Sequence, residues 1–235
     1  MNIKKSFLAM IALSLNSSFA IAEPASESGI ALDSNRKVAI YELAKENLVY
    51  SAWGVEHYER NYLLGLDLAK AESLKIDEDF LFAAAFLHDI GVVEPYVVTD
   101  AEHSQTATEN IELVLNSTDF PAKKIPDAKA AILAHMSYAE VPDNNTAIIL
   151  HDADTRDFLG IVGVTSIQSL STRHPWATDL PTAFATLENF SEQLPASIKN
   201  QAAIAIGKAR ALGMKNFPKT LKSQSIQGTG YNNKS

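Results

Sequence analysis

The feature that most constrains this sequence is an unbroken apolar run at residues 80–87, FLFAAAFL, which ends directly in His88 and Asp89. A helix that is apolar on every face has to be buried on every face, so the run predicts a helix at the centre of the fold. An imidazole and a carboxylate are costly to bury unless their polar atoms are satisfied. His88 and Asp89 are therefore predicted to meet either an ion-pair partner or a bound cation.

Helical spacing of apolar residues continues through most of the chain after residue 37. Helices are predicted near residues 37–53, 55–73, 76–90, 101–117, 127–136, 181–193 and 197–213, with one more that begins near Asn145 and carries ILHDADTRDFLGIVGV. No run alternates between apolar and polar residues for long enough to predict a sheet. The fold class is predicted to be all-α, a compact helical bundle.

The two ends of the chain differ in composition from the rest. Residues 1–22 combine a basic start, an apolar run at 7–15 and a final Ala-Ile-Ala, which is the pattern of a secretory signal peptide. We predict cleavage near Ala22 and an exported protein, periplasmic or secreted. The alternative, an uncleaved anchor, is disfavoured because a membrane span needs about 20 apolar residues. Residues 23–36 are predicted to be a linker or loosely attached arm, 37–220 a single helical domain and 221–235 a flexible tail.

Charge and cysteine content limit the classes of partner and site. The 235 residues include 20 Lys and Arg against 28 Asp and Glu, for a formal net charge of −8, and no basic run is present. Duplex nucleic acid is therefore a poor partner, because binding it depends on neutralising phosphates. The chain has no cysteine, so a metal site has to use His, Asp or Glu. A small anionic substrate is compatible with the chain if a metal supplies local positive charge, and the oligomeric state is left open.

Two other predicted helices carry polar side chains on the face that their apolar residues turn toward the core. On the second helix, His57 shares a face with Leu64. On the helix after residue 145, Asp154 is predicted to share a face with Leu150 and Ile161. Two imidazoles and two carboxylates suit a hard or borderline divalent cation. The inward polar groups on the three helices are His57, the pair His88 and Asp89, and Asp154.

This order of a His, a His-Asp pair and an Asp, each on a helix, resembles the HD-domain superfamily of metal-dependent phosphohydrolases over residues 55–164. The segments that carry the resemblance are HYERNYLLGLDLA, FLHDIG, HSQTATENIELVL, AILAHMS and DADTRDFLGIVG. It implies a helical bundle of the HD-domain type with a divalent metal ion, which is Mn, Fe, Ni, Zn or Mg. The metal ligands of that superfamily match His57, His88, Asp89 and Asp154. In members with two metals, further histidines bind the second ion or the substrate phosphate, and the candidates here are His103 and His135.

The resemblance also implies an activity. The chain is expected to be a metal-dependent hydrolase that uses a metal-bound water on a phosphomonoester, a phosphodiester or a nucleotide. Asp89 is expected to take a proton from that water while it holds the metal, and Arg60 to stabilise charge on the phosphoryl oxygens. Residues 57–65, HYERNYLLG, resemble cyanamide hydratase-like HD proteins, so a nitrile-hydrating lyase is one alternative. A non-catalytic exported HD-fold protein is another, and His151 is interpreted as a structural residue.

Overall fold

The computed structural model describes residues 24–47, 53–171 and 178–227, and within these ranges the chain forms nine α-helices. They are α1 (Asn35–Asn47), α2 (Val55–Ala71), α3 (Glu78–Leu87), α4 (His103–Asn116), α5 (Ile125–Leu133), α6 (Asn145–Asp157), α7 (Gly160–Ser169), α8 (Leu180–Ser197) and α9 (Gln201–Gln227). The described ranges contain no strand, and their β contact is an isolated bridge between Ala25 and Ala31. The predicted all-α class is confirmed, whereas the predicted signal peptide, residues 1–22, lies outside the described residues.

Helix α3 occupies the centre of the bundle, as the apolar run predicts. Every residue from 80 to 87 is at most 3% exposed, and α1, α2, α5 and α6 pack around the helix. The Asp77 carboxylate caps the helix by accepting a hydrogen bond from the Phe80 N–H at 3.0 Å. The helix ends at Leu87, earlier than predicted, and a 3-10 turn follows at Ile90–Val92. His88 and Asp89 therefore lie in the buried segment between the helix and this turn.

The predicted helix after residue 145 is broken in two. Helix α6 ends at Asp157, and α7 begins at Gly160, which adopts a φ of +80°. Glycine reaches this left-handed region without steric cost, so the chain changes direction there. Ile161 was predicted to share the core-facing face of Asp154, and this prediction is wrong because the break turns Ile161 outward, where it is 66% exposed.

Helices α2, α3 and α6 approach each other closely at Gly65. A Cβ atom at this position would lie 3.0 Å from both Leu81 Cδ2 on α3 and Ile149 Cγ2 on α6. A larger residue would therefore force the Leu81 and Ile149 side chains to move. Since His57 precedes Gly65 on α2 and Asp154 follows Ile149 on α6, the close contact brings the polar faces of the two helices together.

The arm before α1 is more firmly attached than the sequence indicates, and part of the predicted C-terminal tail is helical. Residues 24–34, predicted to belong to a loose arm, bury Ile30 and Leu32 to 6% and 4% exposure. Ser28 in this segment donates hydrogen bonds from its N–H and its hydroxyl to the buried Glu59 carboxylate of α2. Helix α9 continues to Gln227, so the first part of the predicted flexible tail is helical. Residues 48–52, the end of the first predicted helix, and residues 228–235 lie outside the described ranges. Within residues 24–47, 53–171 and 178–227, no helix is both long enough and apolar enough to cross a membrane.

Candidate metal centre

Three helices bring the four predicted metal ligands together at one point in the core. His57 comes from α2, His88 and Asp89 follow α3, and Asp154 comes from α6. The Nε2 atoms of His57 and His88 lie 3.2 Å apart, and Asp154 Oδ1 lies 3.2 Å from the first and 3.6 Å from the second. Asp89 Oδ2 lies 3.3 Å from His88 Nε2 and 3.7 Å from His57 Nε2. All four residues are at most 7% exposed, so they form a compact buried cluster.

The hydrogen bonds around the two imidazoles fix which ring nitrogens face this cluster. His57 Nδ1 lies 2.7 Å from Asp157 Oδ2, and His88 Nδ1 lies 2.9 Å from the Ala85 carbonyl oxygen. Because a carboxylate and a carbonyl can only accept, we assign the ring protons to the Nδ1 atoms. The neutral rings then direct Nε2 lone pairs at carboxylate oxygens, so the cluster consists of hydrogen-bond acceptors that lie close together and need a cation between them. These atoms fit the ligand set of a divalent metal ion, since the ligand atoms of His57, His88 and Asp154 all lie within 4.8 Å of one another.

The ionisation of the cluster reflects the same need for positive charge. Burial alone would lower the pKa of His88, but the carboxylates of Asp89 and Asp154 outweigh burial and raise this pKa well above its usual value. Burial also opposes the charged form of His57, yet hydrogen bonds to Asp154 and Asp157 raise its pKa. Burial would raise the pKa of Asp154, but the two imidazoles prevail and lower it. In the metal-free protein, protons on the imidazoles therefore supply the charge that the acceptors require.

Asp89 connects this cluster to a second one. Its Oδ1 atom lies 3.4 Å from His103 Nε2 and 3.7 Å from His135 Nε2, and these two nitrogens are 3.3 Å apart. His135 Nδ1 faces the Ile132 carbonyl oxygen at 2.5 Å, which leaves Nε2 as an acceptor. Burial, together with the charge of His88, lowers the pKa of His135 to about 4. The structure thus places both further candidates, His103 and His135, beside the candidate metal ligands, on the other side of Asp89.

Asp157 is a site residue to which the sequence analysis assigned no role. It is 3% exposed, contacts His57 Nδ1, and accepts hydrogen bonds from Arg60 Nε at 2.7 Å and Arg60 Nη2 at 2.8 Å. The structure pairs the Arg60 guanidinium with Asp157, and the expected role of Arg60 in stabilising charge on phosphoryl oxygens stays a prediction. Arg60 is also absent from the described lining of the adjoining cavity. We interpret Asp157 as a positioning residue that fixes the His57 ring, with Arg60 holding the carboxylate in turn.

Two other polar side chains position members of the clusters. Asn61 of α2 donates a hydrogen bond from Nδ2 to Asp154 Oδ1 at 3.0 Å, while its buried Oδ1 atom has no hydrogen-bond partner among the described residues. A half-turn of this amide would direct Oδ1 toward the cluster, so Asn61 is also compatible with a cation there. Glu102 caps α4, and its Oε1 atom lies 3.4 Å from His103 Nδ1. An acidic residue directly before a histidine that opens a helix is the sequence signal that could have identified Glu102.

His151 and its neighbour Asp152 lie outside the cluster and hold other elements in place. His151 Nδ1 lies 2.9 Å from the Ala134 carbonyl oxygen, and its Nε2 atom lies 3.2 Å from that of Ser197. Asp152 accepts hydrogen bonds from the Lys199 and Asn200 N–H groups at 2.9 Å and 2.6 Å, directly before α9. The structural interpretation of His151 is therefore confirmed.

A cavity of about 610 Å³ adjoins both clusters, so small molecules have space beside the candidate ligands. Four cluster residues line it, namely Asp89, His103, His135 and Asp154. Aromatic and aliphatic side chains supply much of the remaining lining in the described part of the chain, among them Trp53, Val97, Val98, Phe158 and Phe190. This volume lies in the range of sites that enclose small organic molecules.

Comparisons with known proteins identify the architecture. No protein-family model matches the chain, and no curated protein matches it. A structure from Lactobacillus plantarum is similar, with 20% identity, a TM-score of 0.62, and coverage of 82% of this chain and 97% of that one. Bacillus subtilis YpgQ in complex with ADP has 16% identity, a TM-score of 0.60, and coverage of 80% and 97%.

A third similar structure carries a family name. It is a predicted HD-superfamily hydrolase from an uncultured Thermotogales bacterium, with 19% identity, a TM-score of 0.54, and coverage of 80% of this chain and 91% of that one. At these identities the likeness concerns the fold, and it extends over nearly the whole length of each similar structure. The chain therefore has the HD-domain fold, in the helical form seen in HD-superfamily hydrolases.

Proposed function

We propose that the protein is a metal-dependent hydrolase and that it acts on phosphoesters. The observation that carries the proposal is the convergence of four buried side chains, His57, His88, Asp89 and Asp154, which fits a divalent cation beside a cavity. The fold supports it, because the similar structure from an uncultured Thermotogales bacterium is described as a predicted HD-superfamily hydrolase. Phosphate as the target is supported by the similar YpgQ structure, which was solved in complex with ADP.

Each cluster residue has a distinct part in this proposal. A bound divalent cation would acidify a water molecule and add positive charge beside a phosphoryl group. His57, His88 and Asp154 would hold the ion on one side. Asp89 would both hold it and take the proton of the water, since Oδ2 faces His57 and His88 while Oδ1 faces the second cluster. The two histidines of the second cluster line the cavity and would bind a second ion or a phosphoryl oxygen. Nitrogen and carboxylate ligands suit Mn, Fe, Ni, Zn or Mg.

A substrate panel tests the proposal. The purified protein is supplied in turn with Mn, Ni, Zn and Mg and offered phosphomonoesters, phosphodiesters, nucleotides and cyanamide. The measured products are phosphate from monoesters and nucleotides, the released alcohol from phosphodiesters, and urea from cyanamide. We expect phosphoester cleavage that a chelator abolishes and that Asp154→Asn lowers by at least about a hundredfold. Asp67→Asn, the same chemical change at an exposed position of α2, is the matched control and should keep the activity.

Two results would contradict the proposal and separate its alternatives. Conversion of cyanamide to urea without turnover of any phosphoester would favour the nitrile-hydrating reaction on the same fold. A protein that binds metal but turns over neither class would favour the non-catalytic alternative.

We further propose that the protein is exported. The proposal rests on the basic start, apolar run and Ala-Ile-Ala site of residues 1–22. N-terminal sequencing of protein recovered from the periplasm or the medium should begin at Glu23. An intact N-terminus on protein recovered from the cytosol would contradict export.

A further inference from the structure

We infer that the site selects phosphoesters whose organic group is flat and apolar, such as an arylalkyl group, and carries no second anionic group. This inference deepens the proposed function and rests on it. Three features of the cavity beside the clusters carry it. They are a row of aromatic rings that begins at His57, two exposed valines, and the Glu102 carboxylate.

The aromatic row connects the cavity wall to a candidate metal ligand. The Phe158 ring packs edge-on against the His57 imidazole, with centroids 5.8 Å apart and an interplanar angle of 78°. Trp53 and Phe190 both contact Phe158, with centroid distances of 5.6 Å and 6.2 Å. Phe158, Trp53 and Phe190 all line the cavity. A flat group attached to a phosphate at the clusters would lie along these rings, in the offset or edge-on contacts that aromatic pairs prefer.

The loop between the 3-10 turn and α4 adds aliphatic surface to the same cavity. Val97 and Val98 are 39% and 52% exposed, and both line the cavity. The exposed valines and the aromatic rings both contribute apolar surface to this cavity, which a ligand with an apolar group would remove from water. A polyol would instead have to give up hydrogen bonds to water at this surface.

The third feature is negative charge in the lining. Glu102 lines the cavity, and its side chain is 40% exposed. Its carboxylate accepts a hydrogen bond from the Tyr138 hydroxyl at 3.3 Å and lies 3.4 Å from His103 Nδ1. Apart from histidines, the charged residues among the described lining are acidic, namely Asp89, Glu102 and Asp154. Because Asp89 and Asp154 are candidate metal ligands, Glu102 is the acidic lining residue that a second anionic group on the substrate would meet away from the metal, so a single phosphate is favoured.

The test compares substrates of matched chemical reactivity on the metal-loaded protein. 2-Phenylethyl phosphate and glycerol 3-phosphate both release a primary alcohol, so their difference reports the organic group. We expect kcat/KM to be at least about tenfold higher for 2-phenylethyl phosphate, mainly through KM, because contacts remote from phosphorus act equally on substrate and transition state. 2-(4-Carboxyphenyl)ethyl phosphate carries one extra negative charge on the same ring. Its kcat/KM should be at least about tenfold lower than that of 2-phenylethyl phosphate.

Variants locate the selectivity in the cavity. Phe190→Ala should lower kcat/KM for 2-phenylethyl phosphate at least about fivefold more than for glycerol 3-phosphate. Val98→Asp should lower kcat/KM for 2-phenylethyl phosphate in the same way. Because Val98 lies in a loop and is exposed, the fold should tolerate this substitution. Leu113→Ala is the control, because Leu113 is 73% exposed on α4 and is not part of the described lining. Equal turnover of the two esters, or preference for glycerol 3-phosphate, would overturn the inference and leave the proposed function intact. Absence of cleavage of both esters, and of every other phosphoester in the panel, would overturn the proposed function itself.

Discussion

Replacing Asp157 by Asn would remove the negative charge of the side chain that links His57 to Arg60 while keeping its shape. Asp157 Oδ2 lies 2.7 Å from His57 Nδ1, and the two carboxylate oxygens accept from Arg60 at 2.7 Å and 2.8 Å. An amide has one acceptor oxygen, so its NH₂ group would face either His57 or Arg60 as a second donor. With the amide oxygen in place of Oδ2, His57 keeps only a neutral acceptor and Arg60 Nε loses its partner; in the opposite orientation the His57 Nδ1–H loses its acceptor. In both cases the charge that orients the His57 ring is removed.

The burial of the two partners sets the size of the effect. A hydrogen bond to a charged group contributes about 1.5–3 kcal/mol to stability. The side chain of His57 is 2% exposed and that of Arg60 is 37% exposed, so the bond to Arg60 is discounted for solvent screening. We expect the metal-free variant to lose about 2 kcal/mol of unfolding free energy. Losing a carboxylate that orients a metal-ligating histidine lowers metal affinity about 10–100-fold, which corresponds to about 1.4–2.8 kcal/mol.

Two measurements separate these effects. Urea unfolding in the presence of a chelator gives the change in stability, and competition with a chromophoric chelator at fixed pH gives the change in metal affinity. Arg60→Gln is the matched control, because it leaves the contact between Asp157 and His57 in place and should weaken metal binding less than about tenfold. If Asp157→Asn binds metal as tightly as the wild type while Asp154→Asn does not, the role of Asp157 in positioning a metal ligand is refuted.

Three further predictions address the cap of α3, a close backbone contact and the protons of the cluster. Asp77→Asn keeps the helix cap but loses the ion pair with Lys124 at 2.6 Å. Burial raises the pKa of Asp77, but Lys124 prevails and lowers it below 3.8. The pair therefore stabilises the fold above that pH, and urea titrations should show a difference of under about 1 kcal/mol at pH 7 that vanishes as the pH falls through the lowered pKa. Gly91→Ala would place a Cβ atom 2.3 Å from the His103 carbonyl oxygen, so thermal unfolding should reveal a loss of about 1–3 kcal/mol, and an unchanged Tm would contradict this packing. Because the pKa of His88 is raised by neighbouring carboxylates against the effect of burial, metal binding should release protons and tighten as the pH rises through that raised pKa. Identical binding enthalpies in buffers of different ionisation enthalpy would argue against proton release.

The central helix and the four candidate ligands could be predicted because local pattern fixes where they point. A helix that is apolar on every face, as at residues 80–87, has only one suitable environment, and the polar residues that follow it share that burial. His57 and Asp154 lie on helices whose apolar faces determine the direction of every side chain along them. In each case the apolar pattern that predicts the direction of the side chain lies within a few helical turns of that residue.

The features that the sequence analysis missed depend on contacts between distant positions. Arg60 and Asp157 are separated by 97 positions, so no local pattern indicates their hydrogen bonds. The break before α7 depends on the positive φ of Gly160, and a single glycine within a helical pattern is compatible with either a break or a continuous helix. The attachment of residues 24–34 depends on Ser28 reaching Glu59 of α2, although the small polar residues around it are typical of a loose linker.

The central claim is that His57, His88, Asp89 and Asp154 bind a divalent metal ion. The most direct test is elemental analysis of protein purified without chelator, equilibrated with Mn, Fe, Ni, Zn and Mg, and then desalted. We predict at least one divalent ion per chain in the wild type and in the surface control Asp67→Asn, and less than about a tenth of that in a folded Asp154→Asn variant. A wild-type protein without bound metal, or an Asp154→Asn variant with the same metal content, would contradict the claim.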